Sequence, residues 1–397
     1  MNKVIVITLS AACVLMTGCA NKKAKHEAFE HWHRARAEVL CGIGKEHFKT
    51  GQLDEALKSA QEALVLNNSY VEAMLLLGKV FIEQEKYPQA QQILNQALTT
   101  ADGSSEAWYL LGVAQERNRK YEESLASYRR SAELDPNNPE AFIAVGEVMV
   151  ALDQQEKAIE YVESALSQHT NSPGLYELAG RLAMMSKDFA SAAEYFDYAC
   201  DLDIHNLRYR EALALARILD GQHAQAVETL NAIKANPEYK ASAWVEQTLG
   251  DCQLALGRPV EAIDAYDRAA KVEPDSPAIW CKLAVAAMKQ GDMYRAVIAA
   301  AEALRLESYN HDAALLYAYA LIKQTQCDKA VDFLAQASRL HPQSIDIQCL
   351  LGMAYQGLGD HDKAGRFYNQ AVKLEPDNKL ARQLLSHSGL GDQTESR

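Results

Sequence analysis

The sequence predicts an all-α protein in which helical hairpins stack side by side. Three observations carry that prediction. Ala, Leu, Gln, Glu and Lys dominate long stretches of the 397 residues, against only 20 Gly and 10 Pro, which is the composition of helices. Gly44, Gly78, Gly112, Gly146 and Gly180 fall 34 residues apart, and a fixed period of that length marks a repeat architecture. A hydrophobic content of 48% is ample for a continuous core.

The first element is a leader. Lys3 precedes an apolar run from Val4 to Met16, broken only by Thr8 and Ser10. That run is shorter than the ~20 residues of a bilayer-spanning helix, and a basic start with small residues behind it reads as a secretory signal. Leu15-Met16-Thr17-Gly18-Cys19 resembles the lipobox of bacterial lipoproteins, with Met16 where that pattern prefers Leu. The resemblance implies removal of residues 1–18 and acylation of Cys19. Ala20, rather than Asp, after the Cys implies the outer membrane, facing the periplasm. Residues 19–36 follow as a basic segment. From Ala20 to Arg36, five basic residues face two acidic ones, and with Phe29 and Trp32 the stretch suits either anionic headgroups or a solvated start to the first helix.

The repeats come next. "EAWYLLGVAQERNRKYEESLASYRRSAELDPNN" at 106–138 reads like "DIQCLLGMAYQGLGDHDKAGRFYNQAVKLEPDN" at 346–378. Trp108, Phe142, Tyr176 and Trp280 stand four residues before a Gly or Ala marker, hence on the same helix face, where they fill the gap to a neighbouring helix. The small marker lets two backbones approach closely. Ala56, Ala90, Ser124, Ala158 and Ala192 follow their markers by twelve residues. Pro136, Pro274, Pro342 and Pro376 end second helices, since proline has no N–H to donate and clashes with the preceding turn. Pro88 and Pro259 sit in a first turn, which needs no donor.

This pattern resembles the tetratricopeptide repeat, ten copies of which cover 37–378: 37–70, 71–104, 105–138, 139–172, 173–206, 207–242, 243–276, 277–310, 311–344 and 345–378. The resemblance implies a right-handed α-solenoid. Repeat 207–242 is the weakest. Arg210 takes the bulky slot, Ala214 the marker, and two extra residues fall near "KANPEYKA", which marks either a bend between two halves or a loop insertion. Residues 379–397 are expected to be a short capping helix and a tail.

Little in the chain suggests chemistry. Acidic residues outnumber basic ones 53 to 40, a net charge of −13, which argues against nucleic acid as a partner. There is no phosphate-binding loop, nucleophile elbow, zinc-protease motif or dinucleotide fingerprint, so neither an enzyme nor a cofactor is expected. Cys41, Cys200, Cys252, Cys281, Cys327 and Cys349 form no C-x-x-C pair and read as small packing residues, with disulfides as the alternative in an oxidising compartment. His26, His31 and His33 lack a familiar metal-ligand spacing, so no metal is expected.

Binding is the expected activity. The family resemblance implies that the first helix of each repeat lines a concave surface with its second, fifth, ninth and twelfth positions. Carried over, the apolar members are Leu75, Tyr109, Ile143, Leu215, Ile218, Leu254, Met288, Tyr319, Ile322 and Met353. Such a surface suits a protein or peptide segment with apolar anchors, although residues of this kind also pack repeat against repeat. The pairing of Lys and Asn at the fifth and ninth positions, by which the family's carboxylate clamp holds a chain terminus, occurs in none of the ten repeats. The expectation is a lipid-anchored scaffold of the cell envelope, resembling lipoproteins that assemble pili, secretion systems or outer-membrane complexes. An accessory subunit of an envelope enzyme is the second reading.

Overall fold

The computed structural model describes residues 22–387, which form 21 α-helices and no strand. The leader and Cys19 lie outside them, as does the tail after His387. Ten helical hairpins follow in order: α1 (Lys22–Lys49) with α2 (Leu53–Leu66), α3 (Val71–Glu83) with α4 (Tyr87–Thr100), and α5 (Ser105–Arg117) with α6 (Tyr121–Leu134). Then come α7 (Pro139–Ala151) with α8 (Gln155–Leu166), α9 (Pro173–Met185) with α10 (Phe189–Leu202), and α11 (Leu207–Leu219) with α12 (His223–Lys234). The last four are α13 (Ala243–Ala255) with α14 (Pro259–Val272), α15 (Pro277–Gln290) with α16 (Met293–Leu306), α17 (His311–Lys323) with α18 (Cys327–Leu340), and α19 (Ile345–Gly357) with α20 (His361–Leu374). A final helix, α21 (Lys379–His387), closes the series by burying Ala381 against Cys349 and Ala371.

Every hairpin turns through a left-handed residue at the same place. Glu85, Arg119, Asp153, Lys187 and Thr325 have positive φ, as do Gly51, Gly221, Gly257, Gly291 and Gly359, and each is the fifteenth residue of its repeat. The turn needs one residue in that region to reverse the chain after the first helix. Caps fix the other ends. The side chains of Ser104, Asn138, Ser172, Asn310 and Ser344 accept a backbone N–H at the start of first helices, and those of Asp188, Asp292 and Asp360 do so for second helices.

Between the two helices of a hairpin, the marker glycines other than Gly44 meet the residue sixteen positions later. A Cβ on Gly112 would lie 2.6 Å from the Tyr128 ring, and one on Gly180 would lie 2.7 Å from the Phe196 ring. Where the marker is Ala284, the residue sixteen on is Ala300, and both are fully buried. Ring and glycine are therefore two halves of one volume.

The described residues divide into two compact units, 22–209 and 210–387. In the first, Tyr128, Val145, Val162, Leu175 and Leu178 are among the residues that centre a buried cluster. In the second, Tyr266, Leu283, Ala296 and Ala300 do so. In repeat 207–242, the Arg210 guanidinium occupies the slot of the bulky residue and donates to the Ala232 carbonyl at 3.3 Å. Its extra residues sit in the loop after α12, where the Ser242 N–H donates to the Tyr239 hydroxyl at 3.0 Å. Helix α1 is longer than the repeat requires, because the basic segment continues it back to Lys22.

Candidate partner-binding face

Ion pairs between successive first helices show which side faces water. In unit 1, Lys45 Nζ on α1 reaches Glu72 Oε2 on α3 at 2.5 Å, and one repeat on, Lys79 Nζ reaches Glu106 Oε1 on α5 at 2.7 Å. Arg181 on α9 bridges Glu147 on α7 at 3.0 Å and Glu177 at 3.5 Å. In unit 2, Lys282 on α15 pairs with Asp251 on α13 at 2.6 Å. These pairs are substantially exposed and contribute at most about 1 kcal/mol each. The bond from Lys45 holds the Glu72 carboxyl below its usual range, whereas burial pushes Glu177 up against the opposing pull of Arg181.

The ten apolar residues expected on this face divide by burial. In unit 1, Leu75 is 7% exposed and belongs to the core beside Met74 and Leu94. Tyr109 and Ile143 are half-buried, and the Tyr109 ring packs 5.3 Å from that of Tyr128. In unit 2, Leu215 is 43% exposed, and Ile218, Leu254, Met288, Tyr319, Ile322 and Met353 are half-buried. The structure brings Tyr319, Ile322 and Met353 together over one cluster of Ala318, Leu334 and Leu350. Leu254 and Met288 cover another, around Tyr266 and Leu283. Lys323 Nζ lies 5.2 Å from the Tyr319 ring centroid, leaving a cation beside an apolar strip.

The nearby thiols are not poised to react. Burial pushes Cys281 and Cys349 up to about 11, with Asp312 and Glu307 adding to the first and Asp346 to the second. A thiol held neutral is a packing group rather than a nucleophile. Cys41, Cys252, Cys327 and Cys349 are free and buried, and Cys281 is free and half-buried.

Models described as tetratricopeptide repeat match residues 41–105, 75–139 and 248–313, and further ones match 312–344 and 345–378. Together they span more than half of the chain. The chain belongs to the tetratricopeptide-repeat family. Residues 140–247, outside those matches, carry the same hairpins, α8 to α12 among them, with the same left-handed turn at Asp153, Lys187 and Gly221. Tetratricopeptide repeats bind proteins or peptides, so this chain is a protein–protein interaction scaffold.

Among solved structures it is similar to Pseudomonas aeruginosa pilF, at 17% identity over 56% of this chain and 98% of that one, with a TM-score of 0.46. It is also similar to a tetratricopeptide repeat protein from Parabacteroides merdae, at 17% identity over 64% and 99%, TM-score 0.43. A third is YrrB, described as a repeat protein with an unusual peptide-binding site, at 16% identity over 56% and 96%, TM-score 0.35. No functionally curated protein matches the chain.

Two features of this repeat array are not among the residues that the sequence singles out. Glu246, 5% exposed, is held by Lys234 Nζ at 2.6 Å and Arg268 Nε at 2.8 Å, three residues on three helices with no shared spacing. Tyr128, Tyr266 and Tyr368 are fully buried and donate from their hydroxyls to Glu116, Asp251 and Gln356 at 2.8, 2.7 and 2.8 Å. Their signal was available, since each stands sixteen residues after a marker glycine.

Proposed function

We propose that this scaffold is anchored by a lipid on Cys19 in the bacterial cell envelope, at the outer membrane facing the periplasm. There its first-helix face receives apolar anchors from a component of a pilus, secretion or outer-membrane complex. The observation that supports the binding surface is the strip of Tyr319, Ile322 and Met353 on one cluster, half-buried below and open above. Side chains already fixed by packing lose little freedom when a partner covers them. Rigid aromatic and thioether groups of this kind suit an amphipathic helix or extended segment. The lipid is supported by the Gly18-Cys19 junction behind a short apolar run.

Two substitutions test the two halves. Cys19→Ala should move the protein into the soluble fraction, and unchanged tight membrane association contradicts the anchor. Tyr319→Glu with Met353→Glu should release the protein that co-purifies with the wild type while the helical signal persists. An unchanged partner at unchanged yield contradicts the binding face.

A further inference from the structure

Helix α1 carries a stripe that the repeat stack does not use. From Lys25 to Arg36 none of its residues is buried, whereas Ala37, Cys41 and Gly44 are. Lys25, Phe29, Trp32, Arg36, Val39 and Ile43 recur at alternating intervals of four and three, hence along one face. Phe29 is 58% exposed, Val39 42% and Ile43 46%. The Arg36 guanidinium lies 5.2 Å from the Trp32 ring centroid, and the His33 ring packs 4.2 Å from Phe29 and 5.2 Å from Trp32. Glu27, Glu30 and Glu38 fall on the opposite half of the helix. From Lys25 to Arg36 the stripe is therefore aromatic and cationic, in a chain whose net charge is −13, and it runs on through aliphatic Val39 and Ile43 to Glu46, which pairs with Lys49.

We infer that this stripe is the seat of an anionic lipid surface. Helix α1 lies along the headgroups, Phe29 and Trp32 enter the interface, and Lys25 and Arg36 meet lipid phosphates. Charge complementarity selects this occupant, because an anionic surface repels the repeats, which are acidic in sum, and attracts the basic segment from Ala20 to Arg36. Chain length argues the same way. Lys22, where the helix begins, is three residues from Cys19, a span of at most about 10 Å. The inference rests on the anchoring at Cys19 proposed above, which would hold the start of α1 at the bilayer whatever the repeats bind.

The test uses the full chain with vesicles of phosphatidylcholine, with and without phosphatidylglycerol, carrying brominated acyl chains that quench tryptophan. Quenching present in the wild type and absent in Trp32→Phe belongs to Trp32. We expect it on vesicles containing phosphatidylglycerol. Lys25→Gln with Arg36→Gln should raise the lipid concentration needed roughly thirtyfold at low salt, about fivefold per cation. Vesicle-bound protein whose Trp32 is unquenched, or quenched without regard to phosphatidylglycerol, overturns the inference. So does a Phe29→Glu variant that loses self-association but keeps its vesicle binding, which assigns the stripe to a second copy of the chain. Repeating the measurement with Cys19→Ala separates the two readings. Trp32 quenching that persists there upholds the stripe even if fractionation has refuted the lipid, and its loss from protein still bound to vesicles counts against the stripe.

Discussion

Gly112→Ala sets intrinsic helix preference against packing. Alanine in a helix interior is favoured over glycine by about 1 kcal/mol, so preference alone predicts a more stable protein. The added Cβ, however, would stand 2.6, 2.7 and 3.0 Å from three carbons of the Tyr128 ring, where carbon atoms rest at about 3.5–4 Å. That ring cannot swing away. It is 1% exposed, its hydroxyl is bonded to Glu116 at 2.8 Å, and the Tyr109 ring lies 5.3 Å away. Overpacking of this kind costs about 1–3 kcal/mol. With the ring pinned, the upper end applies, and Gly112→Ala should lose about 2 kcal/mol net. Gly42, on the exposed side of α1 with nothing within 4 Å of a Cβ, is the control, and Gly42→Ala should gain up to about 1 kcal/mol. Urea unfolding followed by circular dichroism reads both. Equal signs for the two substitutions would mean that the Tyr128 ring does not limit the space at Gly112.

Gly359→Ala should cost about 1 kcal/mol in the same assay, since φ is +78 and the space around it is open. Lys187→Gly, at φ +62, should change stability by less than about 0.5 kcal/mol, because relief of strain is offset by a looser unfolded chain. Lys234→Met with Arg268→Met leaves the Glu246 carboxylate buried without a cation and should cost about 3 kcal/mol. Glu246→Gln, whose former partners can reach water, should cost about 1 kcal/mol. Burial pushes Tyr368 from 10 up to about 12. A folded-state value above the unfolded one means that its contribution is intact below about pH 10 and is lost as pH rises towards 12. Urea midpoints should therefore fall across that window, less steeply in Tyr368→Phe.

The period was legible because its causes are steric and recur at fixed spacing. Close helix crossings demand Gly or Ala, and helix ends accept Pro136 or Pro274. The turn residue was hidden. Only five of its ten occurrences are glycine, and Glu85, Arg119 and Lys187 carry no sign of positive φ in their chemistry. The Glu246 cluster was hidden for another reason, since it joins α12, α13 and α14 through side chains that a one-repeat ruler does not align. Position within the repeat placed Tyr319 and Ile322 on α17 and Met353 on α19 along the same side of successive first helices, but it placed Leu75 there too, which is core. Leu75 is buried because Leu94 of α4 and Leu110 of α5 join its cluster, and those contacts are not encoded in its place in the repeat.

Photocrosslinking in native membranes reads directly whether the first-helix face holds a partner. A photoreactive amino acid is placed in turn at Tyr319, at Met353, and at Val65, which is 86% exposed on a second helix. One and the same protein should be captured from Tyr319 and Met353 and not from Val65. Capture of that protein from Val65, with none from the first-helix positions, would contradict it.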